Sequence, residues 1–286
     1  MYESLYEQLA EVEDRLWWHN ARCRLMQLAL SRFSFPPDAT ALDVGCGTGG
    51  SIRFLEQLAA RVVAIDRSPK AVELAARKHP SADIRLGDAN ELARTFALES
   101  FDLVTLLNVL EHTWVQDEPS LLSQVWRILK PGGVTLITSA AFPVLARRHD
   151  RMAMSVRRHT LSQMWQFLDQ SGFSCPVKTY FNMTSFPLAW LISRWDAWRG
   201  QVDAQGPLRE LSVPPLLVNE GMKLLMTVER GLTRLFGRLP IGVTLLCVGQ
   251  KLVRAKKFGF DGGASRSKIR GSGSTEDAQE PGTVGV

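Results

Sequence analysis

The chain has 286 residues, 45% of them hydrophobic and 22% charged, a balance that allows a sizeable core and excludes a wholly disordered or fibrous protein. Its 34 basic and 29 acidic residues leave a formal charge of +5, which is too small and too scattered to favour nucleic-acid binding. The four cysteines lie far apart and have no histidine at metal-ligand spacing, so neither a disulfide framework nor a metal site is predicted. The acidic N-terminal segment and the lack of a long apolar run favour a cytoplasmic protein.

The first two thirds of the chain predict helices followed by a parallel sheet. Residues 1–33 place apolar side chains at helical spacing and predict one or two amphipathic helices that form a cap. From residue 41 to about 140, β-rich runs alternate with helical stretches, which is typical of βαβ units. The runs are ALDVG, RVVAID, ADIRLGD, FDLVTLLN and GVTLIT. The LKPGG segment ends a helix around 119–129 and turns the chain into the fifth strand.

The last third predicts two more strands separated by an insertion. A capping box at Thr160–Gln163 begins a helix that ends at Gly172, and strand-like stretches follow at about 173–182 and 241–250. The segment between these two strands is rich in Trp, Leu and Pro and predicts helices that form a substrate lid, whereas the polar sequence after Lys257 predicts a disordered tail. The expected division is a helical cap at 1–38, a core at 39–182, the insertion at 183–238, the last core strand at 239–256 and the tail at 257–286.

The most informative segment is ALDVGCGTGG, residues 41–50, where an apolar strand runs into closely spaced glycines and then into a helix predicted at 51–59. Such a loop lets the backbone approach a ligand closely and directs N–H groups towards it. Gly45, Gly47 and Gly50 have the G-x-G-x-x-G spacing of dinucleotide-binding proteins. A glycine-rich turn without a ligand is the alternative, which the preceding strand and following helix disfavour.

Acidic residues after the first three strands favour a nucleoside with a cationic centre over a pyrophosphate. Asp43 would repel a diphosphate and attract an ammonium group. Asp66 ends the second strand, where an acidic side chain accepts hydrogen bonds from both ribose hydroxyls, a position that suits NAD equally well. Asp88 adds an acceptor where an adenine amino group would lie.

In this order, ALDVGCGTGG, AIDRSP, RLGDAN, FDLVTLLNVLEH and LKPGG resemble the successive motifs of class I S-adenosylmethionine-dependent methyltransferases, over about residues 39–140. The resemblance implies S-adenosylmethionine as cofactor and a Rossmann-like α/β fold. That fold is a mostly parallel seven-stranded sheet with helices on both faces, here with the N-terminal cap and with the insertion before the last strand. The family's cofactor roles fall on Asp43, Gly45, Gly47 and Gly49 under the methionine part, Asp66 at the ribose, Asp88 and Ala89 at the adenine, and Asn108 and Val109 along the pocket.

A narrower resemblance covers two flanking segments. DRLWWHNARCRLM is similar to an E-x-x-H-W-W-F-x-x-R-R segment of a bacterial subgroup that often accompanies genes for sugar or secondary metabolism. SVRRHT is similar to the H-x-R-R-Y-[ST] segment of the same subgroup. In the first segment Trp17, Trp18 and Arg22 match, and Leu16, His19 and Cys23 depart; in the second Ser155 and His159 depart. The departures leave the cofactor assignment intact and the substrate open.

Two aromatic features near the expected site have several interpretations. On the capping helix, Arg22 could pair with the cofactor's carboxylate while Trp18 covers the site from water; an exposed arginine beside a core tryptophan is an equal alternative. The tryptophans of the insertion, Trp190, Trp195 and Trp198, could pack within it, line a substrate pocket, or make weak contact with a membrane surface. Packing is favoured.

Three histidines are candidate catalytic bases. Methyl transfer is an in-line displacement that needs aligned reactants, and an alcohol or protonated amine acceptor also needs a base. His112 follows the fourth strand, His149 adjoins Asp150 on the linker after the fifth strand, and His159 adjoins two arginines whose charges favour a neutral imidazole. The alternatives are a turn hydrogen bond for His112, a solvated loop for His149, and for His159 a basic patch that binds a phosphate or carboxylate, or a solvated helix flank.

We therefore expect a methyltransferase that acts on O or N of a small molecule, such as a secondary metabolite, a sugar or a lipid-linked glycan intermediate. An NAD-dependent oxidoreductase or epimerase is the first alternative, weakened by Asp43 and by the lack of a Tyr-x-x-x-Lys pair. A noncatalytic cofactor-binding protein with the same fold is the second. A nucleic-acid methyltransferase is disfavoured because no N/D-P-P-Y type motif is present, and the oligomeric state is open.

Overall fold

Seven strands form one sheet in the order β3-β2-β1-β4-β5-β7-β6 in the computed structural model, which describes residues 3–146, 150, 154–198 and 213–253. The last strand, β7, runs antiparallel to both of its neighbours, and the remaining pairs are parallel. The strands are β1 Thr40–Val44, β2 Arg61–Asp66, β3 Asp83–Leu86, β4 Phe101–Leu107, β5 Leu129–Ala140, β6 Phe173–Phe181 and β7 Thr244–Lys251. The Rossmann-like, mostly parallel α/β fold expected from the sequence is confirmed.

Helices cover both faces of the sheet, as the near-continuous apolar strands require. They are α1 Glu3–Val12, α2 Trp17–Leu30, α3 Ile52–Leu55, α4 Pro69–Lys78, α5 Leu92–Thr95, α6 Glu118–Ile128, α7 Leu161–Gln170, α8 Phe186–Trp198 and α9 Leu216–Phe236. Helices α5, α6 and α7 pack in one apolar cluster with Leu42 and Val104, whereas α2, α3 and α4 pack in a second cluster with Ala41 and Leu103. None of the described helices is long and apolar enough to cross a membrane.

The predicted capping box lies where the sequence places it. Thr160 accepts a hydrogen bond from the Gln163 backbone N–H at 3.3 Å, and the Gln163 side chain accepts one from the Thr160 N–H at 2.9 Å. The helix ends at Gln170, and Gly172 follows with φ +84°. Both ends of α7 therefore follow from local chemistry.

Two local predictions are wrong. The helix expected at 51–59 is a single turn, Ile52–Leu55, followed by further turns, so the glycine loop does not lead into a long helix. The LKPGG segment does not precede the fifth strand but forms its irregular first part, where the pairing register shifts between Phe101 and Leu103. The helices expected in 1–33 and 183–238 are present, and the expected disordered tail lies outside the described residues.

Candidate active site

The glycine loop follows β1 and lies at the carboxyl ends of the central strands. The Gly45 and Cys46 N–H groups donate to the Ile65 carbonyl at 2.8 and 3.0 Å, which holds the loop against β2. Gly45, Gly47 and Gly49 have positive φ values of 71°, 55° and 88°, a conformation that favours glycine. A Cβ on Gly47 would meet no atom within 4 Å, so the backbone here faces open space that a ligand can approach.

Asp43 places a buried carboxylate beside this open space. Its Oδ1 accepts a hydrogen bond from Thr105 Oγ1 at 2.6 Å, and its Oδ2 finds no hydrogen-bond partner among the described residues. Burial raises the pKa of Asp43 to about 6, and the Thr105 hydroxyl and the Arg22 charge only partly offset that rise. A buried carboxylate with an unsatisfied oxygen fits a site that receives a cationic group.

Arg22 reaches the same region from α2. Its guanidinium lies 3.4 Å from Asn108 Oδ1 and 3.3 Å from His19 Nδ1, and its Nε finds no partner among the described residues. The half-buried Trp18 ring lies 5.6 Å from the Arg22 guanidinium carbon. The exposed-arginine alternative is therefore wrong, and these long contacts leave donor capacity for an anionic group.

Asp66 connects the loop to the end of β2. Its Oδ2 accepts from the Gly47 N–H and its Oδ1 from the Ser68 N–H, both at 2.9 Å. Each carboxylate oxygen has a second lone pair, so the Asp66 side chain can also accept from hydroxyl groups of a ligand. Asp88 follows β3, is exposed, and caps a 3-10 turn through Oδ1, while its neighbour Ala89 is buried. Parallel pairing of β1, β2 and β3 puts these acidic residues along one edge of the sheet.

Asn108 and Glu111 form the wall after β4. Asn108 has φ +59°, and its Nδ2 donates to Glu111 Oε1 at 2.7 Å. The Glu111 Oε2 accepts from Ser139 Oγ at 3.0 Å, and burial raises the pKa of the Glu111 carboxyl. Glu111 therefore holds the Asn108 side chain, which also contacts Arg22, in place. The prediction missed Glu111, although an acidic residue within the apolar run NVLEH is a signal in the sequence.

The candidate base His159 is enclosed. It is only 4% exposed, its Nδ1 lies 2.8 Å from Ser139 Oγ, and its Nε2 lies 3.5 Å from Glu118 Oε1. Since both ring nitrogens have partners, this geometry suits a positioning role better than direct contact with a substrate. The solvated-flank alternative for His159 is wrong.

The two arginines beside His159 are occupied by internal contacts. Arg158 forms a bidentate pair with Asp150 at 2.8 and 2.9 Å, and Arg157 Nη1 donates to the His112 and Val115 carbonyls at 2.8 and 3.0 Å. The alternative of a basic patch for a substrate phosphate is therefore wrong for these guanidinium groups. They tie the segment after β5 to the segment after β4.

Of the two candidate bases that the structure describes, His112 has the more open surroundings. It is half-buried, its Nδ1 lies 3.3 Å from the Met154 carbonyl, and its ring stacks on Trp114 with centroids 5.3 Å apart. When Nδ1 donates to that carbonyl, Nε2 is the unprotonated nitrogen of the ring. His149 lies outside the described residues, and its predicted partner Asp150 is held by Arg158.

A second buried acid, Glu13, joins the N-terminal segment to the glycine loop. Its Oε2 accepts from Thr48 Oγ1 at 2.8 Å, and its Oε1 accepts from Lys78 Nζ at 2.9 Å. His19 lies beside it, where burial and the nearby Arg22 lower the His19 pKa to about 4. The prediction missed both residues, because their roles depend on the docking of α2 against a loop that is distant in sequence.

A cavity of about 610 Å³ lies at the opposite edge of the sheet, near the start of β4 and β5. Its acidic lining residue, Asp102, already accepts from the Thr40 N–H at 2.8 Å and from Lys130 Nζ at 2.7 Å. Among the described residues that line it, no buried side-chain polar atom lacks a hydrogen-bond partner. The unsatisfied Asp43 and Arg22 atoms instead mark the carboxyl edge as the ligand site.

Comparison with known proteins identifies the family of the chain. A methyltransferase domain model matches residues 42–137. A methyltransferase of Synechocystis sp., itself uncharacterised, is 31% identical over 159 residues, which cover 53% of this chain and 74% of that protein. The chain belongs to the class I S-adenosylmethionine-dependent methyltransferases. The cofactor of this methyltransferase family is S-adenosylmethionine, so the NAD alternative is not supported.

Other similarities to methyltransferases are partial. A probable S-adenosylmethionine-dependent methyltransferase of Mycolicibacterium smegmatis is 35% identical over 134 residues, which cover 46% of this chain and 51% of that protein. The chain spans about half the length of several of the curated methyltransferases it matches. A chain in the complex of the Haloferax volcanii Trm112 activator with a methyltransferase superposes with a TM-score of 0.56 at 21% identity, covering 86% of this chain and 97% of that one. At that identity the structural likeness concerns the methyltransferase fold alone.

Proposed function

We propose that the chain transfers the methyl group of S-adenosylmethionine to an oxygen or nitrogen atom of a small molecule. One observation carries the proposal: the buried Asp43 and the half-buried Arg22, of opposite charge, flank the open side of the glycine loop, and each has a buried polar atom without a partner among the described residues. The amino-acid part of S-adenosylmethionine carries one ammonium and one carboxylate. These two groups match the two protein charges.

The rest of the cofactor fits the same edge of the sheet. Asp66 has lone pairs left for the ribose hydroxyls, and Asp88 with Ala89 follows β3, one strand further out, where the adenine would lie. Gly47 and Gly49 allow the chain to pass close beneath the methionine part, while Trp18 shields it from water. The residues present therefore fit the cofactor.

When bound, the cofactor supplies a methyl group on a sulfonium centre, which an acceptor attacks in line with the sulfur. The protein's own task is to align the acceptor, to exclude water and to take a proton from an O–H or N–H acceptor. We assign the proton to Nε2 of His112, because its Nδ1 is held by a backbone carbonyl. We assign His159 a positioning role through Ser139.

The proposed acceptor is a secondary metabolite, a sugar or a lipid-linked glycan intermediate in the cytoplasm. We also propose membership of the bacterial subgroup with the Trp-Trp segment, supported by Arg22, which contacts Asn108 and lies over the Trp18 ring. In this proposal residues 1–38 cap the cofactor and 183–238 form the substrate lid. No nucleic-acid partner is proposed.

Calorimetric titration of the full chain with S-adenosylhomocysteine, with NADH as the control ligand, tests the cofactor site. We expect saturable binding of the first ligand alone, and Asp66→Ala should weaken it by about one to three kcal/mol through lost charged hydrogen bonds. Asp83→Ala is the matched control, because Asp83 begins β3 and pairs with Arg61 away from the loop. Equal affinity in both variants would mean that the pocket is misplaced. Binding without methyl transfer to any acceptor tested would support the noncatalytic alternative.

A further inference from the structure

Helix α9 turns a stripe of apolar side chains to solvent, whereas three of its four buried residues are polar. Leu217, Leu224, Val228 and Leu235 follow one another at spacings of 7, 4 and 7 residues and are between 56% and 87% exposed. An ordinary surface helix shows the reverse pattern, with its apolar stripe turned to the core. The outward face of α9 is therefore apolar without contributing to the core of this chain.

The inward face of α9 is held by hydrogen bonds. Asn219 accepts from the Trp17 N–H at 3.1 Å and donates to the Arg15 carbonyl at 3.0 Å. Glu229 is buried and accepts from the Met183 N–H at 2.9 Å. These contacts fix the side of α9 that faces the protein, and therefore keep the apolar side chains on the opposite side exposed.

Helix α8 adds further exposed apolar surface in the same insertion. Its most exposed large side chains are Leu188, Leu191, Trp195 and Trp198, at 52% to 77%. Exposed apolar residues on this scale mark an interaction surface in a folded protein. Tryptophan favours the boundary between apolar and aqueous phases, because its ring is apolar and its indole N–H is polar.

The exposed charges beside the apolar stripe have one sign from residue 221 onwards. From residue 221 to 241 the only acidic residue is Glu229, which is buried, whereas Arg234 and Arg238 are exposed and Arg230 is half-buried. Glu220, at the other end of α9, is paired with Lys223. The exposed charge along the last two turns of α9 is therefore positive, which complements an anionic surface.

We propose that the outward face of α9, together with the tryptophans of α8, binds the surface of an anionic lipid bilayer. The helix would lie in the plane of the interface, with its leucines among the acyl chains and its arginines at the phosphates. A second copy of this chain with its α9 parallel to the first would bring the arginines together, and the positive charge itself is what an anionic lipid surface complements. The proposal is independent of the methyltransferase assignment.

Vesicle co-sedimentation of the full chain provides the test. The probes are vesicles of phosphatidylcholine alone and of phosphatidylcholine with phosphatidylglycerol, each at low and high salt. We expect binding to the anionic vesicles that weakens with salt, and much weaker binding to the neutral ones. Leu224→Gln combined with Leu235→Gln should weaken binding at least about tenfold, and Arg234→Gln about fivefold.

Two controls keep the result specific to α9. Leu98 is 57% exposed and lies between α5 and β4, so Leu98→Gln should leave vesicle binding unchanged. Arg94, with an 84% exposed side chain on α5, is the matched control for the charge variant. Circular dichroism and size measurement accompany each variant.

Three outcomes would overturn the proposal. The first is no binding to either kind of vesicle, and the second is an equal loss in the Leu98→Gln control. The third is a concentration-dependent dimer that the α9 variant abolishes while vesicle binding is absent, which would assign the surface to a second copy. If the double leucine variant does not fold, the Arg234→Gln and Arg94→Gln pair still decides between a lipid surface and none.

Discussion

Replacing Asp43 with asparagine should stabilise the ligand-free protein and, at the same time, weaken cofactor binding. Burial raises the pKa of Asp43 from its ordinary value of 3.8 to about 6, net of the help from Thr105 and Arg22. At pH 8 that rise corresponds to about 3 kcal/mol of folding stability lost because the buried carboxylate is charged. Asparagine has nearly the same shape, can still accept from Thr105 through Oδ1, and carries no charge.

The sign of the effect follows from proton binding. Between pH 3.8 and 6 the folded state binds the proton of Asp43 and the unfolded state does not, so stability falls as the pH rises through that range. The advantage of Asp43→Asn should therefore be about 3 kcal/mol at pH 8 and about half of that at pH 5. Urea unfolding at the two pH values measures both numbers.

Asp43→Asn should also weaken the binding of S-adenosylhomocysteine. Loss of a charged hydrogen bond to the ammonium group should weaken S-adenosylhomocysteine binding about 10- to 100-fold in calorimetry. Thr105→Val is the control, because it removes the hydroxyl that favours the charged form while leaving the carboxylate, and should destabilise the protein at pH 8. Equal stability changes at pH 5 and pH 8, or unchanged affinity in Asp43→Asn, would refute the reasoning.

Three further predictions concern the loop and the proposed base. Gly45→Ala should destabilise the protein by about 2–4 kcal/mol in thermal unfolding, because φ is +71° and the new Cβ would lie 2.7 Å from Val109 Cγ2. Adding Val109→Ala should remove the clash with Val109 but not the backbone strain, so it should restore only part of the lost stability. Glu13→Gln should cost about 1–2 kcal/mol in urea unfolding and weaken the cofactor, and unchanged values in both assays would show that the N-terminal contact is dispensable. His112→Gln should lower kcat by about 10²–10⁴ while S-adenosylhomocysteine affinity stays constant, whereas unchanged kcat would exclude it as the base.

Much of the sheet could be predicted because its determinants are local. The runs that form β1, β2 and β4 are mostly apolar, and Thr160 with Gln163 marks the start of α7 through side chains three residues apart. The helix after the glycine loop was overestimated for the same reason: residues 51–59 have helical character, but the chain turns after Leu55 to enter β2. After Leu55, the helical preference of the sequence is therefore overridden by the short connection into β2.

Contacts distant in sequence explain what could not be predicted at the site. The acidic edge residues were identified from their positions after strands, and the structure puts Asp43 and Asp66 beside the same loop. The enclosure of His159, by contrast, depends on Ser139 and Glu118, which approach it from β5 and α6. Spacing in the sequence predicts which edge of the sheet a residue occupies, but it does not predict what covers that residue.

The contact between the N-terminal segment and Gly50 has a consequence for how this family diverges. A Cβ at position 50 would lie 2.5 Å from Glu13 Oε2 and 2.7 Å from His19 Cε1, although Gly50 does not need a positive φ. The constraint therefore comes from the docked N-terminal segment, which holds Glu13 and His19, and not from the loop itself. Homologues without this N-terminal segment should accept a larger residue at position 50. Homologues that keep an acidic residue at the position of Glu13 should keep glycine at position 50.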